Sequence, residues 1–212
     1  ILPDRDIFSL DRLGRSKNFE GGSNVTVGFN YQQLNNEKEL NFSIGQIINE
    51  KKNNNKMPSS SSLDERFSDV VGNISFNNNE NFKLDYDYSI DQNFDKMSYN
   101  KLSSDFKTES INFNLNYLEE KNISENKEYL TSTIEYKKGQ SGLFAFRNKR
   151  NLITNSSEYY KLSYEYINDC LRAGLVYRRE FYNDSELEPE NSLMFTITLS
   201  PFGSLTSPGF GQ

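Results

Sequence analysis

The sequence predicts an all-β protein, an antiparallel transmembrane β-barrel, from three observations. Apolar and polar residues alternate along about eleven segments, none of the chain has convincing helical spacing, and short turns alternate with longer polar loops. The 13 Tyr and 16 Phe are more than a disordered chain with only 34% hydrophobic residues would carry. Strands of about ten residues with one apolar face have the length that crosses a bilayer.

Nine segments alternate clearly. In the first of them Val25, Val27 and Phe29 lie on one face, and Thr26 and Asn30 lie on the other. The nine predicted strands are residues 23–32, 38–48, 70–76, 82–91, 110–119, 128–137, 158–167, 170–182 and 192–200, and two further strand-like segments, 97–106 and 141–149, have a facing that the pattern leaves open.

Loop lengths distinguish a barrel from a soluble β-sandwich, which also alternates in and out. The short connections are 33–37, 77–81, 107–109, 138–140 and 168–169, and the longer, more polar ones are 48–68, 119–126, 151–157 and 183–191, with 91–93 as a short exception. A membrane barrel has short turns at one end and long loops at the other, whereas a sandwich has no reason to alternate. The pattern therefore favours the barrel and leaves the sandwich as the alternative.

Composition excludes several classes of function. The chain has no His, so hydrolases that need a histidine base and His-ligated zinc sites are excluded. A single cysteine, Cys170, allows no internal disulfide, and the net charge of −6 argues against nucleic acid. The loop acids Asp184, Glu186, Glu188 and Glu190 lack calcium-loop spacing. We predict no catalytic residue, no metal and no cofactor.

Strand parity predicts that the chain is the C-terminal portion of a longer barrel. Residues 1–22 fall on the long-loop side as an extracellular loop, whereas the end of the last strand falls on the short-turn side. Bacterial single-chain barrels have an even strand number, and an open piece would leave unpaired edges in lipid. The predicted organisation is a loop at 1–22, barrel strands in 23–203 and a tail at 204–212.

Motifs at both ends resemble the LptD (OstA/Imp) family of lipopolysaccharide-assembly outer-membrane proteins. The C-terminal motif consists of residues 164–182, YEYINDCLRAGLVYRREFY, and residues 184–203, DSELEPENSLMFTITLSPFG. Residues 6–14, DIFSLDRLG, resemble a stretch that precedes a late barrel strand of the family. Between about 77 and 155 only the strand periodicity is similar.

The resemblance implies a large barrel of about 26 strands, of which this chain would hold roughly the last eleven. It implies no enzyme but a transporter in the outer membrane of a Gram-negative bacterium. Such a transporter delivers lipopolysaccharide to the outer leaflet through a lateral gate between its last and first strands. The implied partners are the lipoprotein LptE as a plug, the periplasmic LptA bridge through a separate N-terminal jellyroll domain, and the barrel-assembly machinery.

The resemblance also implies roles for particular residues. Cys170, at the periplasmic end of the penultimate strand, would form a disulfide with the N-terminal domain; the alternative is a small half-buried thiol. The predicted last strand, 192–200, would be one wall of the gate or, alternatively, an ordinary closing strand. Its gate residues would be Leu193, Phe195, Thr196, Ile197, Thr198 and Leu199.

Three cations, Lys83, Arg172 and Arg178, have the parity of the barrel lumen. They would contact lipid phosphates or LptE, or they would solvate the wall and pair with acids. The candidate acids are Asp85, Asp87 and Glu180.

The sequence also allows three other functions: a passive porin with a constriction loop in 48–68, an outer-membrane hydrolase, and a soluble sandwich that acts as a binding module. The lack of His counts against the hydrolase.

Overall fold

The computed structural model describes residues 22–52, 62–78, 81–121, 126–181, 190–199, 203–206 and 210–211. Within these ranges the chain forms β-strands and turns, and all eleven predicted segments are strands. None of the described residues belongs to a helix long and apolar enough to cross a membrane. The predicted loop 1–22, apart from Gly22, and the acidic positions 184, 186 and 188 lie outside the described residues.

The strands follow one another along the chain. They are β1 (Asn24–Asn35), β2 (Lys38–Asn49), β3 (Val70–Asn78), β4 (Phe82–Ile90), β5 (Met97–Lys107), β6 (Ile111–Lys121), β7 (Asn126–Lys138), β8 (Gly142–Asn151), β9 (Ser156–Ile167), β10 (Leu171–Glu180), β11 (Glu190–Leu199), β12 (Gly203–Thr206) and β13 (Phe210–Gly211). The last two strands are short. β12 begins at the last residue of the segment predicted as barrel, 23–203, and β13 lies in the predicted tail, 204–212.

The sheet has a simple up-and-down topology. Its strand order is the chain order from β1 to β12, and β13 pairs with β11. Tight turns bring consecutive strands side by side, as in the β1–β2 hairpin. There, Asn35 lies opposite Lys38 across a two-residue turn, in which Asn36 has a φ of 49°. Asn tolerates this left-handed conformation, which two-residue hairpin turns require. The predicted all-β antiparallel sheet is confirmed.

The chain divides into two compact units. Unit 1 consists of Ile1–Ser104 and Tyr117–Glu128, and unit 2 consists of Asp105–Asn116 and Tyr129–Gln212. The division passes through β5, β6 and β7.

Unit 1 contains a small core under the connection between β2 and β3. Its buried hydrophobic side chains are Ile47, Leu63, Val70 and Val71. The Asn49 side-chain amide donates to the carbonyls of Leu63, at 3.1 Å, and Glu65, at 2.7 Å. The backbone N–H of Ile47 donates to Ser68 Oγ at 2.9 Å. The described end of this long connection is therefore held against the last residues of β2.

A buried carboxylate secures the same connection. Asp69 is 7% exposed, and its carboxylate accepts hydrogen bonds from the hydroxyls of Ser62 at 2.7 Å, Ser98 at 2.8 Å and Ser89 at 3.2 Å. A buried charge is tolerated only when such donors replace water. Ser89 and Ser98 thus join the connection to β4 and β5.

Unit 2 has one apolar face that stays open. On this face Leu175 lies opposite Phe195 on one side and Tyr164 on the other, and the Tyr164 ring centroid is 4.5 Å from that of Phe144. Leu175 is 48% exposed and Phe195 is 41% exposed. Among the described residues, the buried hydrophobic side chains all belong to unit 1. This disfavours the sandwich, in which such rows would be buried against a second sheet.

Candidate functional site

Strand β11 holds the predicted gate residues on its two faces. Leu193, Phe195, Ile197 and Leu199 are exposed on the apolar face, and Thr196 and Thr198 are half-buried on the opposite face. The two faces follow from a strict alternation of residue types, since successive side chains of a strand point to opposite sides.

The two edges of β11 are paired differently. β10 pairs with it along its whole length, from Glu180 opposite Glu190 to Leu171 opposite Leu199. On the other edge, the pairs among the described residues are those of β12 with Thr196–Leu199 and of β13 with Ser192–Leu193. The second edge therefore carries the smaller set of strand pairs.

A groove lies on the polar face of unit 2, beside β11. It has a volume of about 340 Å³, and its lining includes Lys161, Ser163, Arg172, Thr196 and Thr198. The structure thus brings together three of the residues predicted from the sequence: Arg172 from the lumenal cations, and Thr196 and Thr198 from the gate. A groove lined by charged and hydroxyl groups suits a polar ligand better than an acyl chain.

The charge of Arg172 is balanced within this groove. Its guanidinium forms a bidentate ion pair with Glu165, in which Nη2 lies 3.2 Å from Oε2 and Nε contacts Oε1. Two parallel hydrogen bonds fix both side chains. The partner is therefore Glu165 on β9, rather than one of the three acids considered from the sequence.

Arg178 lies on the same face of β10, nearer the long-loop end. Its guanidinium pairs with Glu180, as predicted, and lies 5.7 Å from the ring centroid of Tyr159. Both predicted cations of unit 2 therefore have a carboxylate partner.

A family model described as "LptD: LPS transport system D" matches residues 4–159, which is more than half of the chain. The chain belongs to the LptD family. The match includes the 6–14 motif and ends before the C-terminal motif of 164–203. No curated protein matches the chain. As an LptD-family member, the protein serves lipopolysaccharide transport at the outer membrane of Gram-negative bacteria, together with other components of the Lpt machinery.

The single cysteine of the chain lies in the turn between β9 and β10. Cys170 is exposed and unpaired in this chain, and its backbone N–H donates to Asn168 Oδ1 at 3.0 Å. The same oxygen accepts from the N–H of Leu171 at 2.7 Å, so Asn168 shapes the turn. The thiol is therefore presented at the short-turn end of the sheet.

The third predicted lumenal cation of this LptD chain, Lys83, belongs to unit 1. It is exposed near the start of β4, opposite Asn77. Asp87, one of its predicted partners, instead accepts from Asn73 at 2.6 Å and from Lys101 at 3.4 Å. No group of three or more Asp, Glu, His or Cys side chains that could hold a metal occurs in the part of the chain that the structure describes.

Sequence reasoning missed two further cations on the polar face of unit 2, Arg147 and Lys161. Arg147 lies in segment 141–149, whose facing the sequence pattern leaves open, and nothing in the pattern distinguishes Lys161 from the other polar residues of its strand. The register settles both, because Arg147 lies opposite Lys161 and Lys161 lies opposite Arg178. The β9–β10 pairing could have been counted from the 168–169 turn. The β8–β9 pairing could not, because it shifts between Lys149 and Arg150.

Proposed function

We propose that this chain forms the C-terminal part of a transmembrane β-barrel of about 26 strands, with barrel strands in 23–203 after an extracellular loop at 1–22. The barrel delivers lipopolysaccharide to the outer leaflet through a lateral gate between its last and first strands. Strand β11 is one wall of that gate, and the first strand of the complete barrel takes the edge that β12 and β13 occupy in this chain.

The observation that carries the proposal is the two-faced character of β11. Its exposed side chains Leu193, Phe195 and Ile197 suit contact with acyl chains. Its half-buried side chains Thr196 and Thr198 line a polar groove that suits a sugar headgroup. A lipid that leaves a wet lumen for the bilayer needs both surfaces at one seam, because acyl chains and sugars favour opposite environments.

The second edge of β11 is the one open to a gate seam, because among the described residues only the short strands β12 and β13 pair with it. Each backbone hydrogen bond contributes only about 1 kcal/mol net, so a seam with few of them opens at modest cost. The β10 side is paired throughout and would remain closed.

The proposal extends to partners. Cys170, exposed at the short-turn end, forms a disulfide with an N-terminal jellyroll domain, and that domain docks the LptA bridge. The lipoprotein LptE plugs the lumen against the polar face, where Lys83, Arg172 and Arg178 solvate the wall. The barrel-assembly machinery inserts the protein. These assignments are supported by the LptD resemblance of the motifs.

A reversible cross-link tests the gate. Thr196→Cys is combined with a cysteine at the facing position of the first strand in the complete transporter. We expect oxidation to stop delivery of lipopolysaccharide to the cell surface and a reductant to restore it, because the seam can no longer separate.

The matched control ties β11 to its other neighbour. Gly174 lies opposite Thr196, and nothing lies within 4 Å of a Cβ added at Gly174, so the Gly174→Cys/Thr196→Cys pair is accommodated. It keeps the same gate-strand cysteine and undergoes the same redox treatment. Delivery should continue in the oxidised control. Undiminished delivery through the locked gate, or steady ion conductance without dependence on a lipoprotein, would instead support a passive pore.

A further inference from the structure

The polar face of unit 2 carries a row of three cations on three neighbouring strands. Arg147 on β8 lies directly opposite Lys161 on β9, and Lys161 lies directly opposite Arg178 on β10. We call Arg147, Lys161 and Arg178 the cationic row. Directly opposed residues have their Cβ atoms about 5 Å apart, and like charges in that arrangement repel one another.

Two of the three members of the row have no acidic partner among the described residues. Arg178 pairs with Glu180, and Arg147 donates from Nε to the neutral Thr133 hydroxyl at 3.2 Å. Within the described residues, no carboxylate lies within ion-pair distance of Lys161 or Arg147. The chain as a whole has a net charge of −6, so a run of cations here goes against its average.

Two neighbouring cations on this face are paired with acids, unlike Arg147 and Lys161 of the row. Arg172 is held by Glu165, and Lys149 is held by Glu158 at 2.6 Å. The next positions along the strands toward the short turns, Ala145, Ser163 and Val176, carry no charge. The Arg147 guanidinium and the Lys161 ammonium thus suit one anion with several oxygens, since Arg binds phosphate in a bidentate manner.

The row also leads to the gate strand. Arg178 lies opposite Ser192 of β11, and the next residue, Leu193, belongs to the exposed apolar row. Lys161 lines the groove that contains Thr196 and Thr198. An anionic headgroup held by the row would therefore have its acyl chains within reach of the apolar side of β11.

We propose that the cationic row binds a phosphate group on the headgroup of lipopolysaccharide as the lipid approaches β11. This inference rests on the proposed gate function and assigns the phosphate contact to Arg147 and Lys161, with Arg178 as the third member. The row orients the headgroup on the lumenal side, so that the acyl chains face the seam.

The test uses the complete transporter in proteoliposomes, with a photo-crosslinking amino acid at Ser163, next to Lys161 on the same face. Cross-linking to lipopolysaccharide is titrated with phosphorylated lipopolysaccharide and with the same lipid after enzymatic removal of its phosphates. We expect Lys161→Ala to weaken the apparent affinity for the phosphorylated lipid roughly tenfold, the range for one charge-assisted hydrogen bond. Lys161→Arg should retain it.

Two comparisons make the outcome specific. Lys137→Ala removes a cation from the polar face outside the row and should leave the affinity unchanged. Arg147→Gln provides a second variant of the row, and both row variants must bind the dephosphorylated lipid as wild type does. Inorganic phosphate should compete only weakly, because it lacks the acyl chains.

Equal affinity of the wild type for phosphorylated and dephosphorylated lipid would overturn the proposal, as would full competition by free phosphate. The two proposals can fail separately. If the Lys161→Ala transporter preferred phosphorylated over dephosphorylated lipid as strongly as wild type does, the cationic row would be ruled out, but the Thr196 cross-link would still stop delivery. The gate proposal would fail if the oxidised, cross-linked transporter still delivered lipopolysaccharide.

Discussion

Gly72 lies where the Tyr88 side chain and the backbone oxygen of Ser43 leave no room for another side chain. It faces Tyr88 on β4 and Ile44 on β2, and the Tyr88 ring lies over it. A Cβ added at Gly72 would contact the Tyr88 hydroxyl and would lie 2.6 Å from the backbone oxygen of Ser43. The backbone atom cannot move away without disturbing the β2–β3 ladder, so only glycine fits.

Gly72→Ala should therefore destabilise the protein by about 1–3 kcal/mol, the usual cost of overpacking. The measurement is the urea midpoint of unfolding in detergent micelles, followed by heat-modifiable electrophoresis. Gly174→Ala is the control, because its added Cβ would meet no atom within 4 Å. Equal midpoints for the two variants would contradict the packing account.

Cys170 gives a second test at single-residue resolution. If its thiol bonds to the N-terminal domain, Cys170→Ser should shift the non-reduced protein to the electrophoretic mobility of the reduced protein. The neighbouring turn variant Asp169→Ser should keep the wild-type mobility. An unchanged mobility of Cys170→Ser would remove the disulfide from the account.

Among the elements, the turn between β4 and β5 depends on one carboxylate. Asp91 Oδ1 accepts the backbone N–H of Asp95 at 2.9 Å and of Lys96 at 3.1 Å. Desolvation would raise the pKa of Asp91, but the hydrogen bonds from Lys96 and Asp95 outweigh it and hold the pKa below its ordinary value. A lowered pKa means that the ionised carboxylate stabilises the turn above the ordinary pKa and that this support is lost as the pH falls through the folded-state value.

Hydrogen exchange of the Asp95 and Lys96 amides should report the loss of support from the Asp91 carboxylate at low pH. Relative to intrinsic rates, protection should fall when the pH drops below about 4, where an Asp carboxyl becomes protonated. Asp91→Ala should abolish the protection at every pH, whereas Asp91→Asn keeps an acceptor oxygen and should lose the pH dependence. Protection in Asp91→Ala equal to wild type would show that another group holds the turn.

The elements also show what sequence patterns can predict. Period-two alternation located β1 to β11: nine segments place large apolar residues on one face, and the other two, 97–106 and 141–149, are strand-like with a facing that the pattern leaves open. The short strands β12 and β13 could not be predicted from the sequence, since Gly, Ser, Thr and Pro around them give no alternation of apolar and polar residues. The hydrogen bonds by which Asn49 and Asp69 hold residues 62–69 could not be predicted either, because they join residues far apart in the chain.

For the whole molecule, the account depends on which face meets lipid. Residues such as Leu175, Tyr177 and Leu193 could be assigned to a common face from the sequence, and the register places them in adjoining rows. The cationic row could not be derived in the same way, because the facing of β8 is fixed only by its pairing with β9. Patterns within a strand are thus readable from sequence, whereas patterns across strands need the register.

The most direct test of the central claim is the environment of successive residues along β11. A spin label carried by an unnatural amino acid, which leaves Cys170 unmodified, is placed singly at positions 193 to 198 of the complete transporter in lipid. The account predicts a period of two: labels at 193, 195 and 197 are accessible to oxygen in the bilayer, and labels at 194, 196 and 198 to a water-soluble nickel chelate. Equal accessibility at neighbouring positions, or the reverse alternation, would contradict it.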